Sequence, residues 1–161
     1  MLQRSLKFLH EIGAIGTLGS FGACIVLLAT APTPATSPVA FAAVMQGIAA
    51  IAKWLLVPSL AVVLISGLLA IAANEAYMNA AWAWVKALLG IGTFEGTLVT
   101  VGSSARHAAE LSALTVSGSA DPAQMAQVLR TEWGGLWILA ALAFANIVLA
   151  VWRPRLYPRS G

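Results

Sequence analysis

Four long apolar stretches constrain this chain more than any other feature of its sequence. They cover residues 6–29, 54–73, 84–101 and 133–152. Each holds about 20 residues, the length that an α-helix needs to cross ~30 Å of hydrocarbon. With 60% hydrophobic and only 9% charged residues, the 161-residue chain cannot cover a water-soluble surface. We therefore predict an all-α polytopic membrane protein whose single domain is an antiparallel bundle of four transmembrane helices.

The first apolar stretch also has the general features of a secretory signal. Basic residues precede it, and it ends in the small residues Ala29-Thr30-Ala31. Pro32 would directly follow the scissile bond and disfavours cleavage. We therefore predict that residues 6–29 stay in the chain as a membrane span.

Basic residues are distributed unevenly between the two ends of the predicted bundle. Three lie at one end, Lys53, Arg106 and Arg130, and six at the other, Arg4, Lys7, Lys86, Arg153, Arg155 and Arg159. Because positive segments stay on the cytoplasmic side, both termini are predicted to be cytoplasmic. The formal net charge of +3 is explained by this asymmetry, so no nucleic-acid partner is predicted.

Helical sequence continues beyond the membrane at three of the four spans. Residues 41–53 contain no strong helix breaker, so the second helix is expected to begin well before its span and to kink at Pro58. Residues 101–116 continue the third helix. Asp121 and Pro122 provide an N-cap and a first-turn proline for the fourth. Helices two to four are therefore predicted to be extended on the outer side.

Two polar side chains fall at a similar predicted depth near the inner end of the bundle. His10 lies in the first turns of the first helix, and Lys86 enters the third helix at nearly the same depth. Since these two helices run in the same direction, the side chains can face each other. His10 has two interpretations: an interfacial histidine that hydrogen-bonds a backbone carbonyl, or an axial haem ligand or proton-transfer group.

A second polar group is predicted near the middle of the bilayer. Glu95 is nine residues beyond Lys86, which places it about 13 Å deeper and about 180° around the helix. Thr17, Ser66 and Asn146 fall at a comparable depth. We predict that these four residues are buried polar groups, and that Glu95 is either a hydrogen-bonded structural acid or a group for proton or quinone chemistry.

The other histidine, His107, lies near the outer end of the third helix. It is therefore on the opposite side of the membrane from His10, and the two are not predicted to ligate one haem within a monomer. Arg106 and Glu110 beside it have the i,i+4 spacing of an ion pair. This segment is predicted to be a solvated helix face.

Glycine recurs at every third position of the first span, at Gly13, Gly16, Gly19 and Gly22. Steps of three residues rotate by about −60°, so the glycines cover more than half of the helix circumference. Bare backbone allows either the close approach of another helix or contact with the ring of a flat cofactor. Both interpretations stay open.

Four short motifs carry a family resemblance: Lys7-Phe8-Leu9-His10, Ser66-Gly67-Leu68-Leu69, Trp84-Val85-Lys86 and Val151-Trp152-Arg153-Pro154. Together they resemble a bacterial family of small integral membrane proteins of unknown function. That family is similar in turn to the copper-resistance CopD group and to HemJ, the haem-binding protoporphyrinogen oxidase. The resemblance implies a multi-pass protein of the bacterial inner membrane.

The resemblance also implies a cofactor, haem b. His10 and Lys86 match the first-span histidine and third-span lysine that are associated with haem in HemJ-like proteins. Residues 33–39 replace the aromatic and arginine-rich segment that HemJ has after its first span, which argues against porphyrinogen oxidation. The methionines are isolated and argue against copper passage, at Met45, Met78 and Met125.

Three functions from different classes follow. The favoured one is an accessory or structural subunit that packs against a larger membrane complex or against itself. The second is a b-type haem protein that uses His10 and Lys86. The third is a small transporter or channel formed by an oligomer. The predicted partners are the lipid bilayer and other membrane subunits or further copies of the chain; no metal-ion site and no catalytic residue is assigned.

Overall fold

The structure, a computed structural model, describes residues 2–152, without the side chains of residues 100–102. Arg153, Arg155 and Arg159, which entered the predicted charge asymmetry, lie outside this range. The described part contains helices and no strand. The α-helices are α1 (Leu2–Thr30), α2 (Pro38–Ile51), α3 (Val57–Ala72), α4 (Glu75–Met78), α5 (Ala81–Gly96), α6 (Ser103–Val116) and α7 (Pro122–Trp152).

Two π-helical segments merge these elements into four long helices. Ala52–Leu56 joins α2 to α3, and Thr97–Gly102 joins α5 to α6. The long helices are Leu2–Thr30, Pro38–Ala72, Ala81–Val116 and Pro122–Trp152, each long and apolar enough to cross a membrane. The predicted all-α fold with four membrane-spanning helices is therefore confirmed at the level of helix number, length and composition.

All four long helices exceed the length that a bilayer requires. They contain 29, 35, 36 and 31 residues, against the roughly 20 that cross the hydrocarbon. Asp121 caps the N-terminus of α7 as predicted, because its side-chain Oδ1 accepts a hydrogen bond from the Ala123 amide at 2.9 Å. Gly118 makes the turn before it with a φ of 73°, a conformation that glycine adopts without steric cost.

The Pro58 region contains a π segment that was not predicted. A proline inside an α-helix removes one N–H and its ring crowds the carbonyl four residues earlier. Here the five residues Ala52–Leu56 widen the helix immediately before α3, and the Val57 amide donates to the Ala52 carbonyl, five residues earlier. The wider turn lets one continuous helix pass through Pro58.

The apolar core lies in the half of the bundle that contains α2 and α6. It is formed by tightly enclosed side chains such as Phe21, Cys24, Phe41, Met45, Ile48, Leu111, Met125 and Leu136. The long helices nevertheless bury little of their apolar surface in one another. Only 11–33% of the most apolar window of each one is buried inside the protein. The remaining surface carries many exposed large apolar side chains, as expected where lipid replaces water.

Candidate functional site

A cavity of about 740 Å³ lies in the other half of the bundle, between α1, α3, α5 and α7. This is within the ~300–1,000 Å³ range of ordinary small-molecule sites. Its walls are mainly apolar; α1, α5 and α7 contribute polar residues, whereas α3 contributes only apolar residues and a glycine. The polar lining includes His10, Thr17, Lys86, Thr93 and Asn146.

His10 is held against α3 by two hydrogen bonds from one ring nitrogen. Nδ1 lies 3.0 Å from the Val63 carbonyl oxygen and 3.2 Å from Ser66 Oγ. A carbonyl oxygen only accepts, and the Ser66 hydroxyl donates its own hydrogen to the Val62 carbonyl. Nδ1 therefore carries the proton, and in the neutral ring Nε2 keeps a free lone pair.

Gly67 makes room for this imidazole on the surface of α3. A Cβ atom at Gly67 would lie 3.4 Å from His10 Cε1 and 3.6 Å from His10 Nδ1. A methyl group would just fit, whereas a larger side chain would push the ring away from Val63. The Ser66-Gly67 pair thus provides both a hydrogen-bond acceptor and the space for the ring.

Lys86 lines the same cavity from α5. His10 and Lys86, which the sequence predicts to lie at a similar depth, are thus found in one cavity. Lys86 is half-buried, and both it and Glu11 act electrostatically on the His10 ring. Arg4 and Lys7, in the first turns of α1, also line the cavity. Three basic residues against one acidic residue give this end of the cavity a positive balance.

Thr17 and Asn146 line the cavity on α1 and α7 and lack partners. Thr17 is 5% exposed, and neither its Oγ1 nor Asn146 Oδ1 has a hydrogen-bond partner among the described residues. Ser66, also predicted to be a buried polar group, is buried and holds His10.

The prediction that Glu95 is buried with these residues is wrong, because Glu95 is exposed on the surface of α5. The nine-residue interval to Lys86 explains its position. Lys86 faces the cavity, so a residue about 180° around the same helix faces away from the bundle. The interval predicts the direction of Glu95, but no helix among residues 2–152 encloses the side chain on that side.

Gly13, Gly16, Gly19 and Gly22 of α1, which we call the glycine ladder, divide into two pairs. A Cβ at Gly13 would lie 2.9 Å from the Ser59 carbonyl oxygen and 2.8 Å from Val63 Cγ2, and one at Gly16 would collide with the Ser59 side chain. Cβ atoms at Gly19 and Gly22 would meet nothing within 4 Å. Gly13 and Gly16 therefore serve close packing of α1 on α3. None of the four glycines lines the cavity.

Glu132 is a buried acid that the sequence analysis missed. It is 1% exposed, and Ser104 Oγ donates to its Oε2 at 2.6 Å, whereas its Oε1 has no partner among the described residues. It directly precedes the predicted fourth span, residues 133–152, so its position in the sequence does not predict burial. A signal was present: Glu132 shares a helical face with the apolar residues Met125, Leu136 and Leu139, at spacings of seven and four.

The predicted ion pair on α6 is present on an exposed face. Arg106 Nε lies 3.9 Å from Glu110 Oε1, and His107 Nδ1 lies 3.9 Å from Glu110 Oε2. All three side chains are at least 49% exposed. His107 therefore belongs to this surface cluster and does not line the His10 cavity.

Comparison with known proteins adds no relative to these observations. No protein-family model matches the chain, and neither the curated proteins nor the solved structures contain a significant match.

Proposed function

We propose that this protein is a b-type haem protein of the membrane, in which His10 would hold the haem in the cavity between α1, α3, α5 and α7. The observation that carries the proposal is the fixed tautomer of His10. Metal-binding histidines usually donate their other N–H to a carbonyl or carboxylate, which orients the ring and makes the ligating nitrogen more basic. Val63 and Ser66 hold Nδ1 in this way, so Nε2 is the ligating atom.

The remaining lining fits the peripheral groups of haem b. The tetrapyrrole is flat and apolar and carries two anionic propionates, which require cationic partners in a membrane. Lys86, Arg4 and Lys7 supply positive charge at one end of an otherwise mainly apolar cavity. Haem, when bound, supplies one-electron chemistry. Val63 and Ser66 would orient the histidine ligand, and Lys86, Arg4 and Lys7 would hold the propionates. The likeness to the HemJ and CopD group remains a sequence-based prediction that agrees with this proposal.

An absorption spectrum of the full-length protein, purified in detergent from haem-replete cells, tests the proposal. We expect a Soret band that is lost in His10→Ala and kept in His107→Ala, the matched control on the exposed face of α6. Lys86→Met should keep the band but weaken haem binding severalfold, since one propionate partner is removed. A colourless wild-type preparation, or a band that survives His10→Ala, would refute the proposal.

A second function, that of a membrane subunit, is favoured by the position of Glu95. A carboxyl on the outward surface of a membrane helix is costly in contact with lipid, by a few kcal/mol at the bilayer centre. Contact with a further helix, from another protein or from a second copy, would relieve that cost.

We further infer that both termini are cytoplasmic in a bacterial inner membrane, from the distribution of basic residues. Transport stays a prediction.

A further inference from the structure

Glu132 is an acid that the protein encloses with a single hydrogen-bond donor. Its side chain is 1% exposed, Ser104 Oγ donates to Oε2 at 2.6 Å, and Oε1 is buried without a partner among the described residues. An ionised carboxylate accepts about four hydrogen bonds with its two oxygens. The enclosure of Glu132 therefore provides far less than the charged form requires.

Within residues 2–152, no basic side chain faces Glu132 from the helices packed against α7. These neighbours are α1, α5, α6 and the segment Thr97–Gly102, which contains no titratable residue. From α1, the buried thiol of Cys24 interacts electrostatically with Glu132. The charged groups of α1, α5, α6 and α7 are otherwise exposed (Glu95, Arg106, His107, Glu110, Asp121 and Arg130) or line the His10 cavity (Arg4, Lys7, His10, Glu11 and Lys86).

The enclosed carboxyl of Glu132 therefore favours its neutral form. Burial of an uncompensated charge costs far more free energy than burial of a neutral acid. The protonated acid keeps its bond to Ser104 and brings no charge into the core. Glu132 also borders the predicted fourth span, residues 133–152, so a small displacement of α7 would bring its carboxyl to water. In water a glutamate side chain ionises above about pH 4.3, which couples loss of the proton to displacement of α7.

We propose that Glu132 is a proton-binding site that holds α7 against α6. With the proton bound the contact is closed, and release of the proton loosens it. In this step the O–H bond breaks, the proton passes to water, the carboxylate stays on Glu132, and nothing is oxidised or reduced. Glu132 does not line the His10 cavity. The inference therefore goes beyond the haem proposal and does not depend on it.

Infrared spectroscopy of the full-length protein in detergent tests whether the proton is bound. At about pH 5.5 exposed carboxyl groups are mostly ionised, whereas Glu132 should still give the carbonyl band of a protonated acid. We expect Glu132→Gln to lose this band. Glu110→Gln is the control and should keep it, since the Glu110 side chain is 66% exposed. A spectrum in which Glu132→Gln removes no protonated-acid band would overturn the proposal.

Cys24 reports the opening of the contact, because it is the single cysteine of the chain and is fully buried. Alkylation by N-ethylmaleimide is measured in the wild type and in Glu132→Gln. The ratio of the two rates is compared, since thiol ionisation raises both rates with pH. We expect the ratio to rise at least about tenfold between about pH 5 and pH 8, because only the wild type gains an ionised open form. Repulsion between two negative charges would lower the wild-type rate and cannot produce this rise.

The control variant defines what would contradict the proposal. The ratio of the wild-type rate to that of Glu110→Gln should stay constant with pH. The proposal is wrong if the ratio to Glu132→Gln is also constant, or if Glu110→Gln changes the pH dependence as much as Glu132→Gln. Glu132→Leu is the second reference if Glu132→Gln does not fold. Neither measurement uses a Soret band, so failure of the haem proposal and failure of the proton site are separate results.

Discussion

Glu132 links two helices through a buried hydrogen bond. The acid belongs to α7 and is enclosed at 1% exposure, and its Oε2 accepts a hydrogen bond from Ser104 of α6. Because water does not reach the carboxyl, the hydroxyl cannot be replaced by solvent when it is removed. This hydrogen bond therefore adds to the apolar packing between α6 and α7.

Removal of the Ser104 hydroxyl should consequently destabilise the protein. Ser104→Ala leaves Glu132 Oε2 without its donor, and we expect the free energy of unfolding to fall by about 1–3 kcal/mol. Ser103→Ala is the matched control, because Ser103 is exposed and its loss should cost less than about 0.5 kcal/mol. Thermal or denaturant unfolding in detergent measures both. Equal effects of the two substitutions would contradict the assigned bond.

Single polar residues were predicted from depth and helical angle with mixed success. His10 and Lys86 line one cavity because two helices that run in the same direction bring equal depths together. The angle of Glu95 was correct, but its burial was wrong, since a helical wheel does not show where the bundle ends. The hydrogen bonds of His10 to Val63 and Ser66 depend on the rotation of α3, which periodicity alone does not define.

The contact between α1 and α3 depends on the absence of side chains at two positions. At Gly13 a Cβ would lie within 3.0 Å of three atoms of α3, two of which are backbone atoms of Ser59 and Val63. Backbone atoms cannot rotate away, so the helices would have to separate. The small-residue pattern in the sequence predicted close packing, and for Gly13 and Gly16 the geometry supplies the partner.

Alanine substitutions should distinguish the two halves of the ladder. Gly13→Ala forces α1 away from α3, and we expect a loss of about 1–3 kcal/mol, typical of overpacking. Gly22→Ala meets open space and should be neutral or slightly stabilising, because alanine favours the helix over glycine by roughly 1 kcal/mol in water. Unfolding of both variants in the same detergent provides the comparison. A destabilised Gly22→Ala together with an unaffected Gly13→Ala would refute this packing.

Long elements were predictable here because lipid imposes a simple requirement of length and apolarity on each helix. Length and apolarity do not, however, distinguish an α-helical turn from a π-helical turn. Ala52–Leu56 has no residue that sets it apart from an α-helix, apart from the nearby Pro58, whereas Thr97–Gly102 is rich in β-branched residues and ends in a glycine, which are weaker helix formers. Weak helix propensity alone does not predict a π turn, so the position of these segments could not be read from the sequence.

The described part of the molecule presents a largely apolar outer surface, and Glu95 is a charged side chain on it in the middle of a long helix. Glu95 on α5 is exposed among large apolar side chains, including Leu88 and Ile91. Composition does not distinguish a surface that meets lipid from one that meets protein, so the sequence could not assign a partner. A carboxyl at this position does favour protein contact, because a partner helix can offer a hydrogen bond that lipid lacks.

An assembly held in part by Glu95 should therefore depend on that carboxyl. We expect native mass spectrometry after mild solubilisation to detect a species larger than the monomer. Glu95→Leu should shift it towards monomer, with a dissociation constant roughly 3- to 30-fold higher, since polar contacts between membrane helices contribute about 0.6–2 kcal/mol. Leu88→Ala is the control for the same outward surface, as Leu88 is 67% exposed and offers no hydrogen bond. A strictly monomeric wild-type protein would exclude the self-assembled form of the subunit. An assembly that is equally sensitive to both substitutions would show that apolar packing, and not the Glu95 carboxyl, forms the contact.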